Sequence, residues 1–140
     1  MKSTTPPQRA SERWSRLLLD EPPLQVQPGL ARLIGLTESI VVQQVHYWLH
    51  KNLRKKHNIR HGHVWTHNTY EEWGETFPFW SERTIRRTFN KLEKPEWGPS
   101  QQPLLISSRA PNTKFYRIDY DVLDALLGAA EDELDDEGGF

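Results

Sequence analysis

A mainly α-helical domain carrying one β-hairpin is the fold class predicted for this chain of 140 residues. Three observations predict it. Segments 69–77 and 81–93 each pair a capping residue with apolar residues at helical spacing. Pro95, Gly98 and Pro99 then break the pattern. Beyond the break, Leu104 to Ser108 and Phe115 to Tyr120 read as two strands joined by the turn-forming stretch Arg109 to Lys114.

Residues 1–23 hold four prolines and one short apolar patch, Trp14 with Leu17 to Leu19, and read as a flexible arm. Gln27 followed by Pro28, with Leu30, Leu33 and Ile34 before Gly35, predicts a short helix with a glycine stop. Thr37 is the expected cap of a longer helix reaching about Asn52, on which Val41, Val42, Val45, Trp48 and Leu49 share a face. Ile40 and Tyr47 fall opposite, where the arm or a second subunit are candidates to cover them.

Residues 51–63 read as a basic loop with Lys51, Arg54, Lys55, Lys56 and Arg60, and His63 to Thr66 as a short strand. Thr69 and Glu72 predict a capping box for a helix with Tyr70, Trp73 and Phe77 on one side, ended by Pro78. Ser81 caps the next helix, with Trp80 and Ile85 placed as a hydrophobic staple. Ile85, Phe89 and Leu92 form its apolar stripe. Arg83, Arg87, Asn90 and Lys94 project on the other side, flanked by Arg86 and Lys91. A last short helix, Asp121 to Leu127, precedes an acidic tail.

Helix, short strand, helix, tight turn, helix, hairpin is the element order of a winged helix-turn-helix domain, here an α+β fold whose wing is the hairpin. The expected organisation is an arm over 1–23, the domain over 24–127 and an acidic disordered tail over 128–140. In such a domain the helix after the turn enters the DNA major groove and the wing touches the adjacent backbone. Expected DNA-binding residues are Ser81, Arg83, Thr84, Arg86, Arg87, Asn90 and Lys91 on the helix, Arg109, Asn112 and Lys114 on the wing, and Lys55, Lys56 and Arg60 in the loop. Lys and Arg release counterions from phosphates. Arg suits guanine and Asn suits adenine in bidentate pairs, which makes Arg83, Arg87 and Asn90 the base-reading candidates.

Charge supports this by position rather than by total. The formal net charge is −1, but residues 51–117 carry thirteen Lys or Arg against six acids, while residues 131–137 carry six acids. The tail admits three roles: a solubilising end or linker, a DNA mimic competing for the basic face, or a docking peptide ending in Phe140. The absence of Cys excludes disulfides, thiolate metal sites and a Cys nucleophile. His57, His61, His63 and His67 cluster in sequence, yet basic neighbours and the lack of a nearby acid argue against a metal. No cofactor and no catalytic activity are expected, since no phosphate loop, nucleophile elbow or apolar carboxylate pair is present. No apolar run approaches a membrane span and no signal peptide opens the chain. The expectation is a cytoplasmic, nucleoid-associated protein that does not bind membranes.

Two stretches carry a more specific resemblance. Ile34-Gly35-Leu36-Thr37-Glu38-Ser39-Ile40 leading to Gln43-Gln44-Val45-His46-Tyr47-Trp48-Leu49 resembles the first helix of phage and plasmid replication-initiation proteins. Trp65 with Asn68 to Trp73, then Phe77 to Ile85 and Phe89 to Leu92, is similar to the same group, as is the wing strand Lys114 to Tyr120. The resemblance, to replisome organisers related to the N-terminal winged helix of DnaD-type primosome proteins, spans roughly residues 24–123. It implies double-stranded DNA binding at a replication origin, with replisome or helicase-loading proteins as candidate partners. The chain departs from the family in its long stretch Pro95 to Pro103 and in ending soon after the wing. A homodimer is also admitted, since helix-turn-helix proteins often read repeated half-sites. A protein-interaction adaptor using Ile40, Tyr47, Trp97 and Phe140, and a transcriptional regulator, are the alternative functions.

Overall fold

The computed structural model describes residues 23–111 and 113–138, so the arm patch at Trp14 to Leu19, Asn112 and Phe140 lie outside the described residues. The described chain is a mixed α+β fold of five helices and two small antiparallel sheets.

Helix α1 (Pro28–Ile34) begins on a proline and stops at Gly35, whose φ of 107° no side chain adopts easily. Helix α2 (Leu36–Lys55) starts at once, so Gly35 serves both helices. The expected Thr37 cap is absent. Thr37 lies inside the first turn, where its hydroxyl donates to Glu38 Oε1 at 2.9 Å. The helix also runs three residues past Asn52, because Arg54 and Lys55 are good helix formers beside the negative end of the dipole.

Two dipeptide strands, β1 (Ile59–Arg60) and β2 (His63–Val64), form a hairpin in place of the expected loop. Its two-residue turn, His61 at φ 51° and Gly62 at φ 78°, has the paired positive φ values that match strand twist. The expected single strand from His63 to Thr66 is divided at Trp65. Beyond it, β3 (Thr66–His67) pairs with a different sheet. The Asn52 side chain donates to the Trp65 carbonyl at 2.9 Å and fixes this junction to α2.

Helix α3 (Tyr70–Thr76) carries the complete capping box, with Glu72 N–H donating to Thr69 Oγ1 (3.0 Å) and Thr69 N–H to Glu72 Oε1 (2.9 Å). Helix α4 (Glu82–Glu93) is capped by Ser81, whose Oγ accepts from Thr84 N–H at 3.1 Å. Strands β4 (Leu105–Ala110) and β5 (Thr113–Ile118) pair from Leu105 opposite Ile118 to Ala110 opposite Thr113. Only residues 111 and 112 join them, so Arg109 and Lys114 are strand residues facing each other across the ladder rather than turn residues. The sheet order is β3-β5-β4.

The core unites Val41, Val42, Val45 and Leu49 of α2 with Trp73 and Phe77 of α3, and Ile85, Phe89 and Leu92 of α4. Leu104, Leu105, Tyr116 and Ile118 close it from the hairpin side. Trp73 stacks on Phe77 with ring centres 5.9 Å apart, and Phe89 meets Tyr116 at 5.1 Å. Rings of this size let a small domain bury enough apolar area. Ile40, expected to need an outside cover, packs half-buried against this core.

Helix α5 (Tyr120–Gly138) is longer than expected. Asp119 Oδ1 caps it by accepting from the N–H groups of Asp121 (3.1 Å) and Val122 (3.2 Å). The helix does not stop near Leu127 but continues through Gly128 to Gly138. One internal glycine costs only about 1 kcal/mol, and Gly128 is flanked by the strong helix formers Leu127, Ala129 and Ala130.

Candidate nucleic-acid interface

The apolar stripe of α4 faces the core, which leaves Arg83, Arg86, Arg87, Asn90, Lys91 and Lys94 exposed on one open surface. Helical periodicity identifies this set correctly. What periodicity does not reveal is that its members differ in availability. Arg86 Nε pairs with Glu82 Oε2 at 3.1 Å and its guanidinium lies 4.4 Å from the Tyr70 ring centre. Lys91 Nζ pairs with Glu38 Oε2 at 3.1 Å. Arg83, Arg87 and Lys94 have no ion-pair partner among the described residues.

The two small hydroxyl residues at the head of the helix are occupied locally. Ser81 Oγ, besides accepting from Thr84 N–H, donates to Thr84 Oγ1 at 3.1 Å. Both therefore set the start of α4 first, and any contact with a ligand adds to that role.

Across a cleft of about 700 Å³ from the start of α4 stands the β4–β5 hairpin. Tyr70, Glu82, Arg86, Arg109, Lys114 and Tyr116 line it. Arg109 is exposed, whereas Lys114 is held by Glu93 Oε1 at 3.0 Å and its side chain is only 18% exposed. Ser107 Oγ donates to the same carboxylate at 2.7 Å. Glu93 thus clamps the end of α4 to the hairpin, with Lys114 as one partner in the clamp. Burial, with Tyr70 beside it, holds the Tyr116 phenol well above its ordinary value, so it stays neutral at the floor of this cleft.

Lys55 and Lys56 are exposed at the end of α2. Arg60 lies on the β1–β2 hairpin with its guanidinium 4.1 Å from the Phe115 ring centre, a cation–π contact that docks this hairpin on the β3-β5-β4 sheet. His67 meets the same ring edge-on at 5.1 Å. Among the described residues no three His, Cys, Asp or Glu side chains converge.

Tyr47 is half exposed on α2, as its helical position implies. Trp97 is half-buried against the core, its indole N–H donating to the Lys91 carbonyl at 3.0 Å and its backbone pairing with Gln102. It therefore braces the end of α4. Sequence reasoning missed Glu38 and Glu93, the two acids that decide which cations point outward. Among the described residues no helix is long and apolar enough to cross a membrane. No family model matches the chain, and no curated protein or solved structure compared with it matches.

Proposed function

We propose that the chain is a winged helix-turn-helix domain that binds double-stranded DNA, with α4 in the major groove and the β4–β5 hairpin as the wing on the backbone. One observation carries the proposal: Arg83, Arg87, Asn90 and Lys94 stand together on the outer side of a helix whose other side is locked into the core. An α-helix fits the major groove, and Arg and Asn match its base edges. Arg109 on the hairpin and Lys55 and Lys56 on α2 supply further phosphate contacts. A role in replication initiation, with replisome or helicase-loading partners, rests on the resemblance of Ile34 to Leu49 and of Trp65 to Leu92 described above.

Fluorescence anisotropy of a labelled duplex across a salt series tests the binding. Replacing Arg83 and Arg87 with Ala is expected to weaken affinity at least about tenfold and to reduce the salt slope by about two. Unchanged affinity and slope would refute the assignment of α4. Genome-wide footprinting separates replication, which gives one cluster at an origin, from transcriptional regulation, which gives scattered promoters. The exposed Tyr47 ring favours a second reading, a protein-interaction adaptor. An adaptor would retain its partner in a pull-down after nuclease treatment.

A further inference from the structure

The strongest unassigned feature is the split of charge between the two ends of the molecule. Between Lys51 and Tyr70 the sequence has no Asp or Glu, but it has Lys51, Arg54, Lys55, Lys56 and Arg60. Lys55, Lys56, Ile59 and Arg60 are exposed, and Leu53 beside them is 52% exposed. The surface is rigidly presented. Trp65 N–H donates to the Asn58 carbonyl at 2.9 Å, Asn52 holds Trp65, and Arg60 stacks on Phe115. Asp119 and Asp121 line a cleft with His63 and Val64 of the hairpin.

The opposite charge lies on α5, whose final turns carry Glu131, Asp132, Glu133, Asp135, Asp136 and Glu137 in sequence. Helix α5 begins beside the second half of α2, where Tyr120 Oη and His46 Nδ1 share a hydrogen bond of 2.8 Å. It then packs on α1, which joins the first turn of α2. Helix α5 therefore runs antiparallel to α2 and away from the hairpin that follows α2. At 19 residues it is about 28 Å long, and its acidic end lies at the opposite end of the domain. An acidic segment that folds back over its own basic face does not fit this direction.

We infer that the acidic end of α5 in one copy docks on the basic β1–β2 hairpin of a second copy, so that chains associate head to tail. Charge complementarity selects the occupant: the acid-rich last turns of α5 match the acid-free run that carries Lys51, Arg54, Lys55, Lys56 and Arg60. Helix α4 is the poorer receptor, because Glu82 and Glu93 stand on it and Arg86 and Lys91 are already paired. The contact is heterologous, each copy offering one donor end and one receptor end, so association propagates beyond a pair into rings or open chains. It requires no nucleic acid, and because Lys55 and Lys56 also serve the proposed phosphate contacts, a duplex and a second copy compete for them.

Sedimentation of the nuclease-treated full chain provides the test. At about 50 mM salt the average mass should climb with concentration past that of a dimer, and at about 500 mM salt, where screening is short-ranged, it should return to the monomer. Lys55→Glu with Lys56→Glu, and separately Glu131→Lys with Asp132→Lys, should each weaken association at least about tenfold, and a mixture of the two variants should restore it, as expected for a contact made by opposite charges. All four positions are exposed, and circular dichroism checks that the variants stay folded. In the unaltered protein, a zero-length carboxyl–amine cross-linker applied to a mixture of isotope-labelled and unlabelled chains should join the two labels through Lys55 or Lys56. A monomer at every concentration in low salt, association indifferent to either reversal, or cross-links confined within one chain would overturn the inference.

Discussion

Lys91 Nζ lies 3.1 Å from Glu38 Oε2, tying the outer face of α4 to the buried first turn of α2. Burial pushes the Glu38 carboxyl up. Its own backbone N–H, Lys91 and the Thr37 hydroxyl outweigh that and hold it below the ordinary carboxylate value. A carboxyl lowered on folding adds stability that is present above its unfolded pKa and lost as pH falls through the folded one. Glu38→Gln is therefore expected to cost about 1–2 kcal/mol at neutral pH, discounted for the half-exposed lysine, with the gap from the unaltered protein closing below about pH 4. Urea unfolding at several pH values measures it, and a gap that persists at low pH would assign the cost to packing instead.

Gly35 sets the geometry that brings Glu38 to Lys91. Its φ is 107°, and a Cβ there would run into the Glu38 carboxylate. Gly35→Ala should lower stability by about 2–3 kcal/mol, since both strain and collision act together. Gly74, inside α3 with open space around its Cα, makes the contrast. Gly74→Ala should leave stability unchanged or raise it by up to about 1 kcal/mol. Equal thermal shifts for the two variants would contradict this account of Gly35.

The two hairpin cations should separate cleanly by substitution. Arg109→Ala removes an exposed charge beside the cleft and is expected to reduce the salt slope of duplex binding by about one, with little change in stability. Lys114→Ala leaves Glu93 without its cation in a confined setting, and is expected to cost about 1–2 kcal/mol while barely moving the salt slope. Anisotropy and thermal melts on both variants give the comparison. The reverse pattern would mean that Lys114 leaves Glu93 to reach DNA.

His46 is a second source of pH dependence, with the opposite kind of group. Burial, and then the neighbouring His50, lower its pKa. The unfolded chain thus binds its proton more readily, and the stability His46 contributes as a neutral ring is complete above about pH 6.5 and declines as pH falls below it. His46→Gln should flatten the fall in unfolding free energy between about pH 7 and pH 5. Parallel curves for the two proteins would remove His46 as the cause.

Features coded by neighbouring residues were legible in the sequence, and those coded by distant ones were not. The Thr69–Glu72 box and the Ser81 cap need only residues three apart, and the Gly35 stop needs one residue. The outward row Arg83, Arg87, Asn90 and Lys94 follows from a 3.6-residue period against Ile85, Phe89 and Leu92. By contrast, Glu38 finds Lys91, Glu93 finds Lys114 and Arg60 finds Phe115 only after several elements have packed. Charge patterns along the chain therefore overstate the cations available to a ligand. The extension of α5 past the expected end at Leu127 has another reason: Gly128, a single glycine among leucine and alanine, is too weak to stop a helix.

Ser81 combines a local role at the head of α4 with a place on the proposed DNA-binding surface. Its Oγ caps α4 at 3.1 Å from Thr84 N–H. Ser81→Ala should cost about 1 kcal/mol of stability. Ser81→Asp preserves a capping oxygen and places a negative charge at the positive end of the helix dipole, so stability should hold or rise. If that end of α4 approaches the phosphate backbone, the added charge should still weaken duplex affinity by about three- to tenfold at low salt, and the loss should fade as salt screens it. Binding by Ser81→Asp as tight as that of the unaltered protein would show that the start of α4 faces away from the phosphates, and would move the contact surface toward Asn90 and Lys94.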